Sequence, residues 1–157
     1  MENSNSTTGL KIQLKSKIKP TEDREKVIKA MKNIFTDAEI VVPETDKIYI
    51  TVEGEAKNIE RFKELIRSQA ILDTARSVLE KGSKGNYTKF KINKQAAYSE
   101  VVNFDKDIHG GIYVKIICSD EDELIKAIKD IAPRTKYGKI INEDEEIENE
   151  YENKNKK

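Results

Sequence analysis

From Leu10 to Lys19 two kinds of residue alternate without a break. Leu10, Ile12, Leu14, Ser16 and Ile18 hold one register, and Lys11, Gln13, Lys15, Lys17 and Lys19 hold the other. Successive side chains of a strand point to opposite faces, so this stretch predicts a strand in a sheet with one covered face and one basic, open face. Whatever else the chain forms has to cover the first face and leave the second alone.

Later segments supply the cover. After Pro20 a helix is expected, capped by Thr21, with Glu22 and Asp23 in its first turn and Val27, Ile28, Met31, Ile34 and Phe35 in one apolar stripe. A hairpin follows, Glu39 to Val42 and Lys47 to Glu53 around Pro43-Glu44-Thr45-Asp46, with Ile48, Ile50 and Val52 inward and Tyr49 and Thr51 outward. Ala56 to Lys81 reads as helix, but its stripe loses register near Ser68 and Gln69. That predicts two helices or a sharp kink, the second closed by Gly82 as a left-handed cap. Tyr87 to Ile92 is a strand with Phe90 and Ile92 inward, Asn93 to Ala97 a helical turn, and Val101 to Phe104 a further strand. Ile112 to Cys118 is a firmer strand, exposing Tyr113 and Lys115. Ser119 to Asp122 then opens a helix with Leu124, Ile125, Ile128 and Ile131 on its inner face, stopped by Pro133.

The sum is an α+β fold of two layers, a mostly antiparallel sheet of about five or six strands with helices on one face. In this register the uncovered face carries Lys11, Lys15, Lys17, Lys19, Lys47, Tyr49, Thr51, Lys89, Lys91, Tyr113 and Lys115.

Charge divides the chain into three. Residues 1–9 read as a flexible leader, 10–141 as a single domain and 142–157 as an acidic flexible tail. The formal net charge of zero averages unlike parts: the tail holds seven acids and three lysines and the leader one acid, which leaves 26 basic and 21 acidic residues between them. The folded part is therefore basic, and the tail is expected to compete for its basic face. One cysteine, Cys118, excludes an internal disulfide, and no apolar run approaches the roughly 20 residues of a membrane helix. The start of the chain lacks the apolar stretch of a signal peptide, so a cytoplasmic protein without membrane contact is expected.

Lysines beside outward tyrosines on an open sheet suit single-stranded RNA, because phosphates need mobile positive charge and unstacked bases need a flat ring. A merely solvated face and a homodimer contact are the competing readings of the same residues. From Arg61 to Ser99 nine basic residues stand against three acids, which points to a polyanion. The loop Lys81-Gly82-Ser83-Lys84-Gly85-Asn86 offers amides and ammonium groups to a phosphate, but it lacks the Walker spacing, and a cap plus a turn explains its glycines. Gln69, Asp73 and Arg76 form a polar ridge in which Asp73 either orients Arg76 toward a ligand or simply pairs with it.

Asn93-Lys94-Gln95 at a strand end presents polar groups to a ligand or caps a helix, and Arg134, Lys136 and Lys139 carry positive charge past Pro133. His109, the only histidine, has no orienting partner in sequence, and Cys118 fits a buried strand position better than a nucleophile. No metal cage and no cofactor motif is visible. The residues favour a non-enzymatic binding role, with an enzyme or phosphometabolite binder using the Gly82 to Asn86 loop and Arg76 as a further reading.

Three runs, Gln-Ala-Ile-Leu-Asp-Thr-Ala-Arg at Gln69 to Arg76, Asn-Lys-Gln-Ala-Ala at Asn93 to Ala97 and Ile-Ala-Pro-Arg-Thr at Ile131 to Thr135, together resemble the archaeal uncharacterised protein family 0201 over about residues 10–141. Where that family has Leu-Gly-Asp before the last core strand, this chain has His109-Gly110-Gly111. The resemblance implies a fold similar to ribosomal protein L5, which docks 5S ribosomal RNA, and through it RNA as a partner; it implies no catalytic residue. The RNA-binding candidates are then Lys11, Lys15, Lys17, Tyr49, Arg76, Lys84, Lys89, Lys91, Lys94, Gln95, Tyr113, Lys115 and Arg134, with Tyr87 as a further stacking surface.

Overall fold

The computed structural model describes residues 9–40, 48–105 and 110–141. Its centre is β1 (Lys11–Lys17), which pairs antiparallel with β3 (Tyr49–Glu55) on one side and with β6 (Ile112–Ile117) on the other. Outside β3 lies the short β2 (Glu39–Ile40). Beyond β6 come β5 (Tyr87–Ile92) and the edge strand β4 (Ser83–Lys84), giving six strands in the order β2-β3-β1-β6-β5-β4 with every pair antiparallel.

Five α-helices accompany the sheet among the described residues: α1 (Arg24–Ile34), α2 (Glu60–Ser68), α3 (Leu72–Lys81), α4 (Lys94–Tyr98) and α5 (Glu121–Ile131). Alternation decides what they cover. In β1 the apolar register is buried and the lysine register exposed, and Ile50, Val52, Ile92, Ile112, Val114 and Ile116 join the covered face from neighbouring strands. Met31, Ile34, Phe35, Phe62, Ile66, Leu79, Leu124 and Ile131 meet them from the helices in one contiguous core. A file of rings, Phe35, Phe62, Phe90 and Phe104, runs through it with centroids 5.5, 5.7 and 6.0 Å apart in succession. Such spacing suits offset and edge-on aromatic packing.

The expected break near Ser68 and Gln69 is present: α2 and α3 are separate, and Ala70 between them takes φ 58°. Asn93 caps α4 by accepting from the Ala96 amide at 2.8 Å. Several expectations need correction. The cap of α1 is Asp23, whose carboxylate accepts from the Glu25 amide at 3.0 Å, while Glu22 is drawn back to the Lys19 amide. Ile48 is 55% exposed, because β3 begins only at Tyr49. Ile125 is also exposed; Ala127 takes the inward place beside Leu124 and Ile128.

Residues 101–104 form no strand. Instead the Gln69 amide clamps Val102, donating to its carbonyl and accepting from its N–H, both at 2.8 Å. Gly82 is not left-handed, with φ −86°; a Cβ there would lie 1.9 Å from the Lys89 carbonyl oxygen, so close approach is what requires glycine. The leader up to residue 8, the Pro43 to Asp46 turn, Lys47, His109 and the tail 142–157 lie outside the described residues.

Candidate nucleic-acid interface

The register converts the lysine pattern into a grid. Across the open face one row runs Thr51, Lys15, Tyr113, Lys91 and the next runs Glu53, Gln13, Lys115, Lys89. Tyr49 pairs with Lys17 at one end, and at the other Glu55, Lys11, Ile117 and Tyr87 line up. A shallow open depression of about 530 Å³ lies over this face, edged by Gln13, Lys15, Thr51, Lys89, Lys91, Tyr113 and Lys115.

Each tyrosine of the grid has an ammonium group over its ring. Lys15 Nζ is 4.5 Å from the Tyr49 centroid, Lys91 Nζ 5.5 Å from Tyr113, and Lys115 and Lys89 are 4.5 and 5.4 Å from Tyr87. Cations at these distances are attracted by the ring quadrupole, yet at exposed sites only weakly. Tyr113 is 55% exposed even so, and a flat ligand can take the place of an ammonium group above the ring.

The face is not uniformly basic. Glu53 and Glu55 point outward from β3, and Glu39 is paired in register with Glu53. The lysines concentrate toward β6 and β5. Lys11 belongs to the mixed end, opposite Glu55, and is less suited to an anion than Lys15, Lys89, Lys91 or Lys115. Counting lysines alone hid this, although Glu53 and Glu55 share the outward register and could have been read from it.

The remaining candidates lie elsewhere. Lys84 sits exposed in the edge strand, paired with Tyr87; in its loop the Gly82 N–H donates to the Val78 carbonyl at 3.1 Å, and the Gly82 and Asn86 carbonyls accept from the Lys89 and Cys118 N–H groups at 3.0 and 2.8 Å. Lys94 is only 5% exposed. Its ammonium donates to both Glu22 carboxylate oxygens at 3.0 Å and to the Lys17 carbonyl at 2.9 Å. Gln95 is exposed beside it, away from the grid, in a groove with Thr21, Lys26 and Tyr98.

Arg76 is buried, with Nη1 donating to the Ala132 carbonyl and Nε 3.2 Å from the Glu80 carboxylate. Arg134 also reaches Glu80, at 3.2 Å. Asp73 accepts from the amide and hydroxyl of Thr135, and those two bonds do most to hold its carboxyl below the ordinary carboxylate value, the charges of Arg134 and Arg76 contributing less. The polar ridge is thus a set of anchors for the segment after Pro133. That segment forms a second sheet, β7 (Thr135–Lys136) and β8 (Lys139–Ile140) around Tyr137 and Gly138. Sequence reading missed this hairpin, because Tyr-Gly is not among the dipeptides that mark a two-residue turn.

Cys118 is buried, and burial pushes its thiol up to about 11, with Glu123 and Asp120 adding to the effect. A thiol held protonated is a poor nucleophile. Among the described residues no group of three or more His, Cys, Asp and Glu side chains is placed to hold a metal ion, and no helix is long and apolar enough to cross a membrane.

Comparison with known proteins adds three findings. Residues 11–119 match the family described as RNA binding, a span that takes in the whole six-stranded sheet. A UPF0201 protein of Methanocaldococcus jannaschii is 56% identical over 136 residues, covering 87% of this chain and 80% of that protein, and one of Thermococcus kodakarensis is 44% identical over 81% of this chain and 92% of its own length. The crystal structure of the UPF0201 protein from Methanococcus jannaschii superposes with a TM-score of 0.75 at 53% identity, covering 84% of this chain and 99% of that one.

Proposed function

The chain belongs to the UPF0201 family, and on that premise we propose that it is a non-enzymatic RNA-binding protein whose open sheet face holds a single-stranded segment. One observation carries the reading: on that face Tyr49, Tyr87 and Tyr113 each lie under a lysine ammonium group, so ring and charge alternate across neighbouring strands. Phosphates would draw the ammonium groups outward while bases settle on the vacated rings. The sites are Lys15, Lys17, Lys89, Lys91 and Lys115 for phosphate, with the three tyrosines for bases. Lys84 and Arg134 flank them, and Lys94 and Arg76 support the fold from the helix side. Kinship with the ribosomal protein that docks 5S RNA is part of the proposal; the six-stranded antiparallel sheet with its accompanying helices is the feature that suggests it.

The test is binding of the purified protein to labelled single-stranded and structured RNA at two salt concentrations, with a Lys89→Glu, Lys91→Glu double variant alongside. Neutralising about four phosphates gives a log-log salt slope near −3, from roughly 0.7 per contact. Saturable binding with that slope, lost in the double variant, is expected. A salt-independent affinity, or no binding at low salt by the folded wild type, overturns the reading. A homodimer through the same face is favoured by one feature, the acidic side at Glu39 and Glu53 next to the basic side, which a second copy turned about a two-fold axis could match. Sedimentation at tens of micromolar (roughly the range where weak dimers form) separates the two.

A further inference from the structure

The hairpin after Pro133 makes three locally unfavourable choices within four residues. Tyr137 takes φ 54°, in a turn whose first position favours Asn, Asp or Gly, and Gly138 follows at φ 78°. The ring of Tyr137 is 95% exposed, so it packs on nothing that would compensate the backbone. Lys136 and Lys139 stand directly opposite one another in the register, a like-charge pairing that weakens a two-strand ladder. A two-stranded ribbon of this length is not stable by itself.

Yet the base of the hairpin is fastened with care. Thr135 gives two hydrogen bonds to Asp73, Arg134 meets Glu80, and the Ile141 amide closes onto the Arg134 carbonyl at 3.0 Å. Asp73 and Glu80 stand two turns apart on α3, so one rigid helix holds the first foot at two points, and the second foot is tied to the first through Ile141. A strained tip on a fixed base, with an uncovered ring flanked in sequence by Lys136 and Lys139, presents the combination that an unpaired base with its flanking phosphates requires. Local rules broken together at an exposed point mark a functional site more readily than a packing compromise.

We propose that the Tyr137 hairpin is a second RNA contact, outside the span that matches the RNA-binding family, in which one unpaired base stacks on Tyr137 and the adjoining phosphates meet Lys136 and Lys139. It rests on the RNA-binding reading and adds a separate point of attachment, on the α3 side of the molecule. A protein docking on the same ring is the rival occupant. The paired lysines speak for the polyanion.

The test is photocrosslinking of the full-length protein to iodouridine-substituted single-stranded RNA, with the modified tyrosines located by mass spectrometry. Affinity of Tyr137→Asn is measured in parallel. Asparagine suits the left-handed position, so this variant keeps the turn and removes only the ring. A crosslink on Tyr137 and a roughly tenfold loss of affinity in Tyr137→Asn are expected, from the usual worth of one stacked base. Crosslinks confined to Tyr49, Tyr87 or Tyr113, with Tyr137→Asn binding like the wild type, overturn the hairpin contact and leave the sheet reading standing. A crosslink on Tyr137 with none on the sheet upholds the hairpin and overturns the sheet reading. No crosslink and no binding overturns both, and leaves the ring to a protein partner.

Discussion

Asp73 at the start of α3 accepts two hydrogen bonds from Thr135, one from its amide at 2.9 Å and one from its hydroxyl at 2.7 Å. That pair ties the second helix of the α2 and α3 break to the hairpin after Pro133. The bonds lower the pKa of the carboxyl from its ordinary 3.8, with Arg134 and Arg76 contributing less. A carboxyl with a depressed folded value adds stability above the unfolded value, and that stability is lost as pH falls through the folded one. The Thr135 amide should therefore exchange with solvent progressively faster as pH drops below about 4, relative to the Val114 amide in mid-sheet. Asp73→Ala should produce the same loosening at neutral pH, roughly fivefold faster exchange for a bond worth about 1 kcal/mol. Equal protection of Thr135 in the variant would sink the idea.

Lys94 supplies a different kind of test. Its ammonium is enclosed with Glu22 and the Lys17 carbonyl, so Lys94→Ala leaves a carboxylate in the layer between α1 and α4 without its counter-ion. Removing one partner of a buried pair costs about 3 kcal/mol. Urea unfolding should show that loss, while the folded variant binds RNA as the wild type does. Weakened RNA binding by a Lys94→Ala protein shown to be folded would return this residue to the interface.

Cys118 should resist alkylation. With its thiol raised from 9.0 to about 11, the thiolate at pH 8 is scarcer than in the unfolded chain by about a hundredfold, and the side chain is buried as well. The sign for stability is the reverse of that for Asp73. An acid whose folded value is raised contributes below its unfolded value and loses that contribution between pH 9 and 11. Iodoacetamide labelling followed across a urea titration checks this: modification should appear only with unfolding.

Deleting residues 142–157 removes seven acids and three lysines and leaves 26 basic and 22 acidic residues. If those acids compete with RNA for the lysines of the sheet, the shortened protein should bind RNA several-fold more tightly at low salt, and the advantage should shrink as salt screens both. Equal affinity at low salt would remove the tail from the account.

Much of this architecture was legible in the chain because strand alternation is a local signal with a period of two. Lys15, Tyr113 and Lys115 stand outward where alternation puts them, and the loss of register at Ser68 and Gln69 marks a real break between helices. What was not legible depended on partners distant in sequence. Gln69 read as part of a polar ridge with Asp73 and Arg76 because its partner, Val102, lies 33 residues on, and Asp73 read as orienting or pairing with Arg76 because Thr135 is 62 residues away. The acids Glu39 and Glu53 come together only through a register that no single segment contains. Spacing within one helix shows which side chains share a face and says nothing of what arrives opposite them.

The place of β1 in the middle of the sheet has a consequence for how the protein is made. Its two neighbours are β3 and β6, and β6 spans Ile112–Ile117. A chain still being synthesised therefore carries its first strand with one edge unpaired until about a hundred further residues have emerged (closing so long a loop is slow). An alternating strand left open for that interval is prone to pair with its counterpart on another nascent chain. Lysine at every second position but one along that strand sets like charges against each other in such a pairing. The residues proposed to hold RNA in the finished protein would thus first serve to keep unfinished copies apart.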